Sequence, residues 1–188
     1  MSLFISLYRP VTLIKHTLWL ISCGVLLCAP GHSYADNKLE YKLKAAYLIN
    51  LGEFIVWQDP NKETQDSFSI CVHPTDPVNA YLQGISQHLV KGKTLKIVNG
   101  LAIEQLQQCH IVYLNSIQFL KTPQLLQQLS EHSVLTISSA SGFVKQGGGI
   151  EFFIKKNKVR MRINLGTIKQ SGLAVSSKLL RLMEVLNP

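Results

Sequence analysis

Apolar positions along the chain recur with two different periods, and the alternation between the two sets the expected architecture. Over residues 38–57, Leu39, Leu43, Ala46, Tyr47, Asn50 and Phe54 follow helical spacing. This segment is predicted as a helix with an unusually apolar end, Phe54-Ile55-Val56-Trp57. Polar residues 59–66, interrupted by Pro60, read as a connecting loop. Short apolar runs follow at 68–73, 94–98, 109–114 and 134–137, each the length of a strand. Helices are predicted between them at 78–85, 103–107 and 117–129, the first with Asp76 as its cap and Pro77 at its first position. Strands alternating with helices imply crossovers in a mostly parallel sheet flanked by helices on both sides, a three-layer α/β domain.

The period changes again in the last quarter of the chain. Residues 150–155 and 159–165 are two strand-like runs joined by the polar tip Lys155-Lys156-Asn157-Lys158, which suits a tight antiparallel hairpin at one edge of the sheet. In the second run Val159, Met161, Ile163 and Leu165 fall on one face, and Lys158, Arg160, Arg162 and Asn164 on the other. The basic face reads either as protection of an edge strand or as a docking surface. Leu165, Ile168 and Leu173 suggest a short helix ending near Gly172. Ser176 or Ser177 then caps a final helix whose inner face is Leu179, Leu182, Met183 and Leu186. The triplet Gly147-Gly148-Gly149 precedes a strand and not a helix, so it cannot present a helix N-terminus to a phosphate. It is expected to supply a bend or a close backbone approach.

The first 35 residues have the layout of a signal peptide. Arg9 and Lys15 supply the positive region, residues 17–27 the apolar core, and Ser33-Tyr34-Ala35 the small residues of a cleavage site between Ala35 and Asp36. Lipidation at Cys23 is the alternative reading of this segment, since Leu20-Ile21-Ser22-Cys23 passes for a lipobox. Residues 36–188 are then a single α/β domain. The leader carries two of the nineteen basic residues and none of the eleven acidic ones, so its removal takes the net charge from +8 to +6. Export to the periplasm excludes nucleic acid as the partner of that charge, leaving an anionic membrane surface, an acidic protein domain or plain solubility.

Candidate chemistry is sparse. Cys71 and Cys109 are an even pair in an exported chain and read first as a disulfide, with a zinc or copper site shared with His73 and His110 as the alternative. Serines 138, 139 and 141 follow a strand, where α/β proteins carry binding loops, but they lack the Gly-x-Ser-x-Gly elbow and a signalled His and acid partner. Glu53, Glu104 and Glu151 show no paired-carboxylate spacing. The expectation is a protein without catalytic residues or cofactor.

Taken together, the blocks LKAAYLINLGEFIVW (43–57), FSICVHPTDP (68–77), CHIVYL (109–114), LTISSASGFVKQGGGIEFFI (135–154) and VRMRINLGTIKQSGLAVSSKLLRL (159–182) resemble the YfiR family of periplasmic regulators. The resemblance implies a small α/β domain, dimeric in many members, that restrains an inner-membrane diguanylate cyclase by binding its periplasmic part. An outer-membrane lipoprotein or a redox change relieves the restraint, which controls cyclic-di-GMP and biofilm formation. The resemblance also implies that Cys71 and Cys109 match a family disulfide. The chain departs from the family at Gln58, where proline is usual, and at His73, where glycine is common; it also lacks a second cysteine pair.

On this reading the contact surface is sought at the apolar end of the first helix (Phe54, Trp57) and on the basic strand (Arg160, Arg162, Asn164). Ser138, Ser139, the triplet Gly147, Gly148 and Gly149, and the cap Ser176, Ser177 and Lys178 complete it. The competing function is a periplasmic small-ligand receptor with its pocket at the carboxyl ends of the strands.

Overall fold

The structure is a computed structural model that describes residues 33–99, 102–115 and 123–186. Most of the expected leader, including Cys23, lies outside these residues, as does the first half of the helix predicted at 117–129. The backbone around the expected 35–36 cleavage bond is helical. The fold below is that of the unit Asn37–Pro188.

Helix α1 (Ser33–Phe54) is followed by β1 (Ile55–Trp57), α2 (Pro60–Glu63), β2 (Ser67–Val72), α3 (Pro77–Gln83), β3 (Leu89–Val90), β4 (Lys93–Val98), α4 (Ile103–Gln108) and β5 (Ile111–Leu114). The rest comprises α5 (Pro123–Glu131), β6 (Leu135–Ser138), a 3-10 turn (Val144–Gln146), β7 (Ile150–Lys155), β8 (Lys158–Asn164), α6 (Leu165–Gln170), β9 (Leu173–Val175), α7 (Ser177–Leu180) and β10 (Glu184–Leu186). Eight strands form one sheet in the order β10-β8-β7-β6-β5-β2-β4-β3. From β4 to β7 all neighbours are parallel, while β8 is antiparallel to β7 and β3 to β4. In chain order the parallel strands run 2-1-3-4-5, the doubly wound arrangement, whose direction reverses between β2 and β5.

Strand alternation divides the core. Phe68, Ile70, Ile111, Tyr113, Leu135 and Ile137 pack toward α1 and α3, whereas Cys71, Val112, Leu114 and Val134 pack toward α4 and α5. The predicted parallel sheet with helices on both sides and a C-terminal antiparallel pair is therefore the observed one. Asp76 caps α3 as expected: its carboxylate accepts from Val78 N–H at 2.9 Å, with Pro77 in the first turn. Lys156 and Asn157 adopt positive φ at the hairpin tip, the twist that a two-residue turn between antiparallel strands requires.

Four expectations are corrected. The helix predicted at 38–57 stops at Phe54, and the β-branched Ile55 and Val56 enter a two-stranded ribbon in which β1 pairs antiparallel with β9. The inner face of α1 is Ala45, Leu48, Ile49 and Gly52, while Leu39, Leu43 and Phe54 are exposed. The predicted stripe is thus rotated toward solvent. The loop at 59–66 contains the helical turn α2, capped by Asp59. The final helix is a single turn, after which Glu184–Leu186 joins the sheet beside β8, so Leu182 is 69 % exposed instead of buried and β8 is not an edge.

Candidate functional site

Cys71 at the end of β2 and Cys109 just before β5 are joined by a disulfide, with Cα atoms 6.0 Å apart. The bond lies in the core layer shared with Leu106, Leu125 and Phe143. It removes both thiols from metal binding. His73 is bound to the Thr75 hydroxyl at 2.8 Å, and no group of three or more His, Cys, Asp or Glu among the described residues could hold a metal ion.

Much of the motif-bearing C-terminal stretch proves to be architectural. Gly147 has φ +94°, a left-handed value that suits glycine. A Cβ on Gly148 would meet the Phe143 ring at 2.2 Å, and one on Gly149 the carbonyl oxygen of Thr136 at 2.9 Å. Gly149 N–H in turn donates to Thr136 Oγ1 at 3.0 Å, so the triplet lets β7 enter the sheet tightly against β6. The carboxylate of Glu151, buried in β7, accepts from the Arg162 guanidinium of β8 at 3.3 Å, and Arg162 reaches Glu184 of β10 at 3.0 Å. Arg162 also covers the Phe153 ring at 4.4 Å. Asn164 donates to Val144 O at 2.9 Å and caps α6 by accepting from Thr167 N–H at 3.0 Å. These residues hold β7, β8 and β10 together.

Other candidates have similar commitments. Ser138 is fully buried, donating to Leu114 O at 2.7 Å and accepting from Ala140 N–H at 3.0 Å. Ser139 meets Tyr113 Oη at 2.9 Å, and burial holds the Tyr113 phenol well above its ordinary pKa. Ser176 caps α7 by accepting from Leu179 N–H at 3.3 Å. Trp57 is buried, its ring edge-on to Phe68 and to His110 at 5.3 and 5.5 Å.

The remaining candidates are exposed and fall into two groups. Phe54, Ser177 and Lys178 gather at the end of the β1–β9 ribbon, where Ser176 N–H donates to Phe54 O at 3.0 Å, with the exposed Val56 close by. Arg160 instead lines a shallow groove with Lys155, Lys158, Arg181 and Leu182, beside the hairpin tip. In that groove Glu184 is the acid, held below the usual carboxylate range by hydrogen bonds from Lys155 and Arg162.

A cavity of about 190 Å³ lies at the amino ends of β2, β4 and β5. Val56, Trp57, Lys62, Glu63, Phe68, Lys91, Lys93 and His110 line it. Lys62 is buried and its ammonium donates to Gln107 O at 2.7 Å and Cys109 O at 2.8 Å, closing the C-terminal end of α4. Burial lowers its pKa to about 8, with Asp59 opposing. The Lys91 ammonium donates to Ile55 O and stands 5.4 Å from the Trp57 ring centre, while Lys93 donates to Glu63 O and Lys62 O. His110 stacks on Phe68 at 4.5 Å. Ser69 N–H points at its Nδ1 (3.2 Å), so Nε2 carries the proton and donates to Lys62 O at 3.2 Å. Burial, aided by the charges of Lys62, Lys93 and Lys91, brings the His110 pKa down to about 4. Lys62 comes from α2, Lys91 from the β3–β4 turn and Lys93 from the first position of β4, segments without a shared motif, which is why pattern reading missed them.

Residues 41–184 match the YfiR/HmsC-like family over most of the chain. The chain belongs to that family. YfiR-like proteins are periplasmic regulators linked to diguanylate cyclases, and none of the described helices is long and apolar enough to cross a membrane. No curated protein matches the chain. Among solved structures, a conserved domain protein from Vibrio cholerae O1 biovar eltor aligns with 79 % of this chain at 8 % identity and TM-score 0.49. The ABC domain in complex with L-Trp from Streptococcus pneumonia aligns with 76 % at 10 % identity and TM-score 0.49. This chain spans 60 % of each of those chains, and neither likeness bears on what it binds.

Proposed function

We propose that this YfiR/HmsC-like protein is exported to the periplasm and represses an inner-membrane diguanylate cyclase by binding its periplasmic part, as a homodimer whose restraint an outer-membrane lipoprotein relieves. Family membership over residues 41–184 carries this reading. The groove lined by Lys155, Lys158, Arg160, Arg181 and Leu182 supports it, because a cationic rim around an exposed leucine suits an acidic, partly apolar protein segment. Repression requires tighter binding to the inactive cyclase than to the active one, since equal affinity for both would shift nothing. Arg162 is engaged with Glu151 and Glu184, so charge reversal is placed at the exposed Lys158 and Arg160 instead.

The test is cellular cyclic-di-GMP in a strain carrying Lys158→Glu with Arg160→Glu. Deleting the gene is expected to raise the nucleotide, and the charge-reversed protein, folded by circular dichroism, is expected not to restore the low level. Full repression by the variant would remove the groove from the mechanism, and an unchanged level on deletion would remove the cyclase.

A further inference from the structure

We propose that the cavity between β1, α2 and the amino ends of β2, β4 and β5 binds a small organic anion, a carboxylate or phosphate group on a compact apolar body. The inference is independent of the cyclase reading. Three ammonium groups, Lys62, Lys91 and Lys93, face one space, and none of them takes part in an ion pair among the described residues. Their positions are accounted for by the backbone carbonyls they meet, but a carbonyl does not neutralise a charge. Lys62 is only 4 % exposed, and a charge so far from water is ordinarily paired. The nearby carboxylates only partly offset these charges: Asp59 acts on Lys62, and Glu53 and Glu63 on Lys91, but none stands at ion-pair distance, and the Glu53 carboxylate accepts instead from the backbone N–H of Lys91 at 2.9 Å.

Donor capacity remains. Each ammonium has three N–H bonds; Lys62 and Lys93 each use two on the carbonyls above and Lys91 one. That leaves four donors around the space. Burial keeps His110 neutral, and the charges of all three lysines act in the same direction, so no fourth cation forms at neutral pH. The remaining walls are apolar and aromatic, from Val56, Trp57 and Phe68, and the indole N–H of Trp57 is buried without a hydrogen-bond partner. A volume of 190 Å³ equals about six waters at roughly 30 Å³ each, enough for one substituted ring and too little for a nucleotide. An anionic head among the lysines and an apolar body against Val56 and Trp57 satisfies both halves of the lining.

The experiment is isothermal titration calorimetry at pH 7 and low ionic strength, on the protein expressed with its own leader. The probes are benzoate, phenyl phosphate and the neutral isostere benzamide. At least one anion is expected to bind saturably, the stronger of the two identifying the head group, with benzamide at least about tenfold weaker. Lys91→Gln and Lys93→Gln, each folded by circular dichroism, are expected to weaken the anion about tenfold, the loss of one charge-assisted hydrogen bond. Lys145→Gln, exposed on the 3-10 turn and outside the cavity lining, is expected to leave affinity unchanged. The proposal is overturned if neither anion binds, if benzamide binds as well, if both cavity variants keep the parent's affinity, or if Lys145→Gln weakens binding as much as they do.

Discussion

Protonation of His110 should set the acid limit of this fold. The imidazole is 2 % exposed and stacked on Phe68, and its Nδ1 accepts the Ser69 N–H of β2. A second proton would leave that N–H facing another donor and would place a cation beside Lys62, Lys91 and Lys93. Burial first, and then these charges, bring the pKa from 6.5 to about 4 on folding. Between those two values the unfolded chain holds the extra proton and the folded one does not. Stability from this residue is thus fully present above pH 6.5 and is lost as the pH falls toward 4. At 1.36 kcal/mol for each pH unit the whole loss is about 3 kcal/mol, a large part of the net stability of a domain this size. Burial raises the pKa of Asp76, which works in the opposite sense near and above pH 3.8, so the informative quantity is a difference between two proteins. His110→Asn keeps an acceptor for Ser69 N–H but does not titrate. Urea unfolding at pH 7.5, 6.5, 5.5 and 4.5 should show the parent losing about 2.5 kcal/mol more than the variant across the series, although the variant starts lower. Parallel curves would refute the reasoning and place acid sensitivity elsewhere.

Three further outcomes are expected. Replacing Cys71 and Cys109 together by alanine should lower stability by about 4 kcal/mol, from a closed loop of 38 residues, read as a shift in the urea midpoint. Gly149→Ala should destabilise by about 2 kcal/mol or more because the new Cβ meets a backbone carbonyl that cannot turn aside, whereas Gly92→Ala, with nothing within 4 Å, should bear only the smaller strain of its positive φ; thermal melts separate the two. Arg162→Met should lower stability by about 3 to 5 kcal/mol at pH 7 by leaving Glu151 charged and buried, and adding Glu151→Gln should recover part of that loss, as chemical denaturation would show.

The parallel sheet and its covering helices were legible because β2, β4, β5 and β6 are short apolar runs bounded by turns, which local pattern reports well. The ribbon and the last strand were not. Ile55–Trp57 continues a helical pattern and becomes a strand only because Leu173–Val175 lies beside it, and no local signal encodes a partner so far along the chain. Leu179, Leu182, Met183 and Leu186 fit a helix equally well until Glu184 pairs with Arg162 across β8. Gly148, Gly149, Glu151, Arg162 and Asn164 were visible as a motif, but spacing does not distinguish a residue that meets a partner from one that locks strands together. The family match settles membership and leaves that distinction to geometry. Trp57 was singled out as a surface residue and is instead a wall of the cavity, a role that required Phe68, Lys91 and His110 to be brought to it by three other segments.

The pairing of Ile55 with Val175 also constrains when the polypeptide can finish folding. The first helix is made well before Leu173–Val175, yet the ribbon that anchors its end must wait for those residues. At roughly 5 to 20 residues per second that interval is many seconds. A chain still being synthesised therefore has its first helix made but unmoored, and the topology closes only once Leu173–Val175 is available to pair with Ile55–Trp57.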